Sequence, residues 1–151
     1  MSNGIEKSVS KYQLKSLEKI PTRIWEDPNN ASIHIAQTIA NAIKDNQSKG
    51  DHIVLGLATG SSPVKVYEEL VRMHKEEQLS FRNVYTFNLD EYYPIPPNAP
   101  QSYVRFMDEN LFNHIDIPKE NIHIPDGTLP IENIKEFCDQ YESKIDALGG
   151  I

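Results

Sequence analysis

A single cysteine, Cys138, stands in 151 residues, so no disulfide can form within the chain. No CxxC or HExxH spacing occurs, and the five histidines are scattered at positions 34, 52, 74, 114 and 123. A structural or catalytic zinc site is therefore not expected. No stretch approaches the roughly 18 apolar residues of a membrane span, and the N-terminus lacks the apolar run of a secretory signal. A cytoplasmic protein is the expectation that follows. Basic residues are also scarce: 15 Lys and Arg face 22 Asp and Glu, for a formal net charge of -7. Nucleic acids and anionic membranes call for a basic face, so neither is expected as a partner. There is no GxGxxG fingerprint and no Gly-Lys-Ser/Thr of a Walker loop. Internal repeats and low-complexity tracts are missing too.

What remains is the composition of a globular domain, 38% hydrophobic and 25% charged, in a chain long enough to bury a core. Residues 1–18 are polar and rich in Lys and Ser, and read as an N-terminal extension to a domain over residues 19–151. Residues 20–25 (IPTRIW) read as a strand with Pro21 at its start or on an exposed edge. Turn and cap chemistry at Asp27, Pro28, Asn29 and Asn30 then leads into a helix reaching about Asn46, with Ile33, Ala36, Ile39, Ala40 and Ile43 at helical spacing. Residues 53–58 (IVLGLA) are short and apolar throughout, as in a strand covered on both faces of a parallel sheet. Val64, Tyr67, Leu70, Val71 and His74 mark a second helix, and residues 84–87 (VYTF) the next strand. A proline-rich loop, residues 93–100, precedes a helix near 102–113. Residues 122–124 read as a short strand. Ile134, Phe137, Cys138, Tyr141, Ile145 and Leu148 form a final helical stripe. Cys138 and Trp25 are assigned to core packing.

Strands alternating with helices predict an α/β fold, a layered parallel sheet flanked by helices. Such sheets bind ligands at the carboxyl ends of their strands. Two features lie at such ends. The loop Thr59-Gly60-Ser61-Ser62 joins a strand to a helix: Gly60 permits a tight backbone path, Ser62 suits an N-cap and Pro63 the first helical position. Amides and hydroxyls at a helix N-terminus make a phosphate cradle. A Gly-Ser-Ser-Pro turn also serves merely to start a helix, and local sequence does not separate the two. Asp90 and Glu91 follow the next strand. A carboxylate there, in a partly closed cleft, suits a general base, although an Asp-Glu pair in a solvated turn is the commoner case.

The segments GLATGSSP (56–63), ELVRMHKEEQLSF (69–81) and VYTFNLDEYYPIPPNAPQSYVRFMDENLFNHIDIPKENIHIPDG (84–127) together resemble the glucosamine-6-phosphate deaminase family. The likeness runs over about residues 20–150. It implies a Rossmann-like fold and conversion of glucosamine 6-phosphate and water to fructose 6-phosphate and ammonia, without metal or cofactor. In the roles it implies, Gly60, Ser61 and Ser62, beside Thr59, hold the sugar phosphate, and Asp90 moves a proton from C2 towards C1. Glu91 would support that base, for instance by tuning its pKa. Ser102 and Tyr103 would begin a helix packed under the loop.

The resemblance covers only the N-terminal portion of the family, whose ring-opening acid and histidine come later. The expectation is accordingly a fragment with an open sheet edge, inactive by itself, with no catalytic role for any of the five histidines. Homo-oligomers occur in the family, so self-association is left open. Two further readings stand beside the first. A 6-phosphogluconolactonase shares the phosphate loop but shows Asp-Glu-Arg where this chain has Asp90-Glu91-Tyr92. A non-catalytic sugar-phosphate sensor, or a purely structural partner, would not need Asp90.

Overall fold

The computed structural model describes residues 22–151. Four α-helices and three strands alternate along the described residues: α1 (Pro28–Lys49), β1 (Ile53–Leu57), α2 (Ser61–Glu77), β2 (Val84–Asn88), α3 (Tyr103–Asn110), β3 (Ile122–His123) and α4 (Ile134–Ala147). The strands form one parallel sheet in the order β1-β2-β3, with Ile53 opposite Val84, Leu57 opposite Asn88, and Thr86 opposite Ile122. The expected α/β architecture is therefore present. No described helix is long and apolar enough to cross a membrane.

Alternation along β2 divides the sheet into two faces. Val84 joins Ile53, Leu55 and Leu57 in a core shared with Ala36, Ala40 and Ile43 of α1, Val66, Tyr67 and Leu70 of α2, and Met107 of α3. Phe87, on the opposite face, packs edge-on against Tyr141 of α4 at 5.3 Å and beside the ring of His123 at 4.4 Å. So α1, α2 and α3 cover one side and α4 the other. Thr86 shares the first face, is 2% exposed, and its hydroxyl has no hydrogen-bond partner. A buried, unpaired hydroxyl destabilises a fold. Thr86→Val is expected to raise stability by about 1 kcal/mol. The readout is a higher denaturant midpoint at an unchanged slope; a lower midpoint would show that the hydroxyl has a partner after all.

Helix ends follow local chemistry. Asp27 caps α1 through the amide of Asn29 at 2.9 Å, Pro28 opens the helix, and Gly50 closes it at φ +76°. The helix runs three residues past the predicted Asn46 because nothing before Gly50 breaks it.

Several expectations are corrected. Residues 22–25 form no strand; Ile20 and Pro21, like the extension at 1–18, lie outside the described residues. Trp25 is only partly buried, its ring 5.1 Å from that of His34, because that segment runs along α1 instead of entering the sheet. Cys138 is exposed rather than packed in the core. It sits one position off the stripe of α4, whose Phe137 and Tyr141 are half-buried. That helix has no fully buried residue. Finally, β1 is not covered on both faces. Only Leu57 is buried and Gly56 is exposed, with the side chain of Ile151 crossing beside it. Among the described residues β1 is an edge strand whose α4-side face is half open.

Candidate active site

The ladder between β1 and β2 ends at Leu57 and Asn88. Two residues beyond this pair stand Thr59 on one chain segment and Asp90 on the other. Adjacent parallel strands therefore deliver the loop and the aspartate side by side to the carboxyl end of the sheet, as the topology requires. Gly60, Ser61, Ser62 and Asp90 are exposed and Thr59 half-buried. The cleft expected around Asp90 is open among the described residues.

The loop differs in detail from its sequence reading. α2 begins at Ser61, so Gly60 rather than Ser62 occupies the N-cap and Pro63 is the third helical residue. Pro63 is tolerated there because an amide in the first turn has no intrahelical partner to lose. Gly60 has φ +97° and ψ -176°, a region essentially reserved for glycine. Nothing lies within 4 Å of where a Cβ would stand, so the demand is conformational and not steric.

The helix N-termini of this sheet are not equivalent. α1 is closed by the Asp27 carboxylate. α3 is closed twice over, by the Ser102 hydroxyl and by Glu91. α2 has no side-chain cap and no acidic residue in its first turn. Its free amides and dipole face the end of the sheet where Asp90 emerges, flanked by the Thr59, Ser61 and Ser62 hydroxyls. The start of α3 is thus already occupied by a carboxylate, and the start of α2 carries none.

Glu91 is the residue whose place the sequence reading missed. One carboxylate oxygen accepts from the amides of Tyr92 at 2.8 Å and Tyr103 at 2.9 Å. The other accepts from the Ser102 hydroxyl at 2.8 Å and the Val104 amide at 3.1 Å. Partial burial alone would raise its pKa, but the four donors outweigh burial and hold it below the ordinary carboxylate value. With both oxygens engaged, Glu91 ties the segment carrying Asp90 to the start of α3. No local motif announces a cap supplied from eleven residues upstream. Tyr92 stacks on Tyr103 at 4.9 Å in the same junction. A groove of about 250 Å³ separates this segment from α4, lined by Leu89, Tyr92, Tyr93, Phe137 and Tyr141 among others.

Four of the five histidines make hydrogen bonds within the protein. His52, His74 and His114 bond to the backbone carbonyls of Leu148, Leu79 and Glu109, and His34 bonds to Arg23. Among the described residues no cluster of three His, Cys, Asp or Glu could hold a metal ion.

The family model for glucosamine-6-phosphate isomerases/6-phosphogluconolactonase matches residues 26–150. A glucosamine-6-phosphate deaminase-like protein of Bacteroides thetaiotaomicron is 48% identical over 149 residues, which is 99% of this chain and 22% of that protein. That match takes in nearly all of the N-terminal extension. The glucosamine-6-phosphate deaminase of Dictyostelium discoideum is 46% identical over 133 residues, 85% of this chain and 49% of its own length. Among solved structures, a monomeric glucosamine-6-phosphate deaminase superposes with a TM-score of 0.74 at 38% identity, over 82% of this chain and 49% of that one. The 6-phosphogluconolactonase of Thermotoga maritima gives 0.62 at 30% identity, over 77% and 50%. The chain thus spans about half, or less, of the length of the curated relatives it matches. With the matched model covering most of its residues, this chain belongs to the glucosamine-6-phosphate isomerase/6-phosphogluconolactonase family.

Proposed function

We propose that the protein carrying this sequence is a glucosamine-6-phosphate deaminase, converting glucosamine 6-phosphate and water to fructose 6-phosphate and ammonia. The observation that carries the reading is the pairing of an uncapped α2 N-terminus with Asp90 at the end of the next strand. The loop of Thr59, Gly60, Ser61 and Ser62 holds the sugar phosphate, and this fixes the far end of the substrate over the aspartate. The Asp90 carboxylate takes the proton from C2 and returns it at C1. The C2 amine thereby becomes an imine, which water cleaves to the ketone and ammonia. A carboxylate is regenerated in such a shuttle, so no cofactor is consumed. Glu91 contributes by holding the Asp90 segment, not by touching substrate.

Tyr92 and the names of the relatives near 46% identity favour the deaminase over a 6-phosphogluconolactonase, which is the second reading. An exposed Asp90 poised beside the loop speaks against a pure sensor. The reaction class is hydrolytic deamination with an isomerase step, the setting cytoplasmic, and the substrate a free sugar phosphate rather than a nucleic acid or lipid surface. The family includes a monomeric deaminase, so self-association is not needed for the site as drawn.

The full-length protein, given glucosamine 6-phosphate, is expected to release ammonia and fructose 6-phosphate in equal amounts, with deuterium entering C1 in heavy water. The isolated 151-residue chain should release neither. Faster hydrolysis of 6-phosphogluconolactone than ammonia release would overturn the assignment in favour of the second reading.

A further inference from the structure

We propose that Asn88, with Tyr67 and Tyr141, is a positioning clamp that sets the distance between the phosphate loop and Asp90; the inference rests on the roles given to those two groups above. The β1–β2 ladder ends at Leu57 and Asn88, and four backbone carbonyls at the strand ends are taken by side chains. The Asn88 Nδ2 donates to the Leu57 carbonyl at 3.3 Å. The Tyr67 hydroxyl donates to the Ala58 carbonyl, one residue before Thr59. The Tyr141 hydroxyl lies 2.8 Å from the Asn88 carbonyl and 3.0 Å from that of His123, sharing its single proton between the ends of β2 and β3. Side chains from α2, β2 and α4 thus converge where the two functional segments part.

The choice of asparagine is informative. Asn88 is 2% exposed and its Oδ1 has no partner. An apolar side chain would avoid that unpaired acceptor, so what the amide adds is the bond to β1. Turning the amide over would set Oδ1 against the Leu57 oxygen, two acceptors facing each other, so the orientation is determined. Both phenols are pushed up to about 12 by burial and remain protonated donors at any ordinary pH.

The consequence is geometric. A substrate held by its phosphate at one end and deprotonated at C2 near the other measures the spacing between loop and base. A shift of about 1 Å in such a spacing lowers turnover by roughly 100-fold. The clamp touches neither group; it acts through the backbone on which both stand.

The test is made in the full-length protein with Asn88→Ala and Tyr141→Phe, the second removing one oxygen from a half-buried ring. Turnover should fall by roughly 30- to 100-fold in each. The dissociation constant for inorganic phosphate, measured calorimetrically, should stay within about 3-fold, because the α2 amides are untouched. If Asn88→Ala does not fold, Tyr141→Phe carries the result. Unchanged turnover in the folded variants, or turnover and phosphate affinity falling in equal proportion with the melting temperature, overturns the clamp. Asp90→Asn separates the two levels. Should it abolish turnover while the clamp variants remain active, only the clamp is wrong. Should it leave turnover intact, the site reading and the clamp fall together.

Discussion

Asp90→Asn in the full-length protein is expected to lower turnover by about 10³-fold, within the range that a positioned general base supplies. The substitution keeps size and hydrogen-bonding capacity but removes the ability to accept a proton from carbon. No hydrogen bond or ion pair among the described residues holds the Asp90 carboxylate, so its replacement leaves no buried donor unpaired. Stability should hardly move. Ligand affinity should persist, because the phosphate grip proposed for Gly60, Ser61 and Ser62 stands on the neighbouring strand end. Loss of turnover at constant affinity is the signature of an interaction made in the transition state. Turnover within a factor of about 3 of the parent would remove Asp90 from the chemistry.

The second large effect is on stability and falls on the adjacent residue. Glu91→Ala takes away the acceptor for three backbone amides and the Ser102 hydroxyl at once. Ser102 still caps the Val104 amide at 3.2 Å, so part of the junction survives. The expected loss is about 2 kcal/mol. For a domain of this size that lowers the melting temperature by roughly 5–10 °C. The pH dependence has a definite sign. Glu91 has a folded pKa depressed below its ordinary 4.5. Its contribution is therefore fully present above pH 4.5 and is lost as pH falls through the lower folded value. The stability gap between wild type and Glu91→Gln should be full at pH 7 and shrink below 4.5. Asp116 adds a parallel acid sensitivity below 3.8. Burial raises its pKa, but the Phe81 amide, the Ser80 hydroxyl and His74 together outweigh that. A Glu91→Gln gap that stays constant between pH 7 and pH 3 would show that the carboxylate charge contributes nothing.

These two residues also show how far a sequence can be read. Asp90 and Glu91 stand next to each other and are chemically alike, and the pattern alone assigns both to one acidic pair. Their separation into an exposed carboxylate and a closed cap depends on where α3 begins relative to β2. That is a contact between residues eleven to thirteen positions apart, across a proline-rich loop. No periodicity encodes it. The same limit explains Ser62, read as a cap and found one turn position inside α2. Either serine satisfies local propensity, and Gly60 at φ +97° decides the matter by starting the helix earlier. Trp25 and Cys138 were assigned to the core by residue type. Both lie at its margin, because type reports the tendency to be buried and not which side of a helix meets the sheet.

By itself the sequence determined the order of the elements from α1 onward, the parallel α/β class and the family. Apolar runs of strand length, helical spacing and glycine at a strand-to-helix turn are local signals with local physical causes. Tertiary structure alone decided which helix N-termini carry a side-chain cap, which acidic residue is already spent as one, and which side chains bond at the end of the β1–β2 ladder. Each of these is a matter of donors and acceptors from separate segments meeting within about 3 Å, a distance that spacing along the chain does not specify.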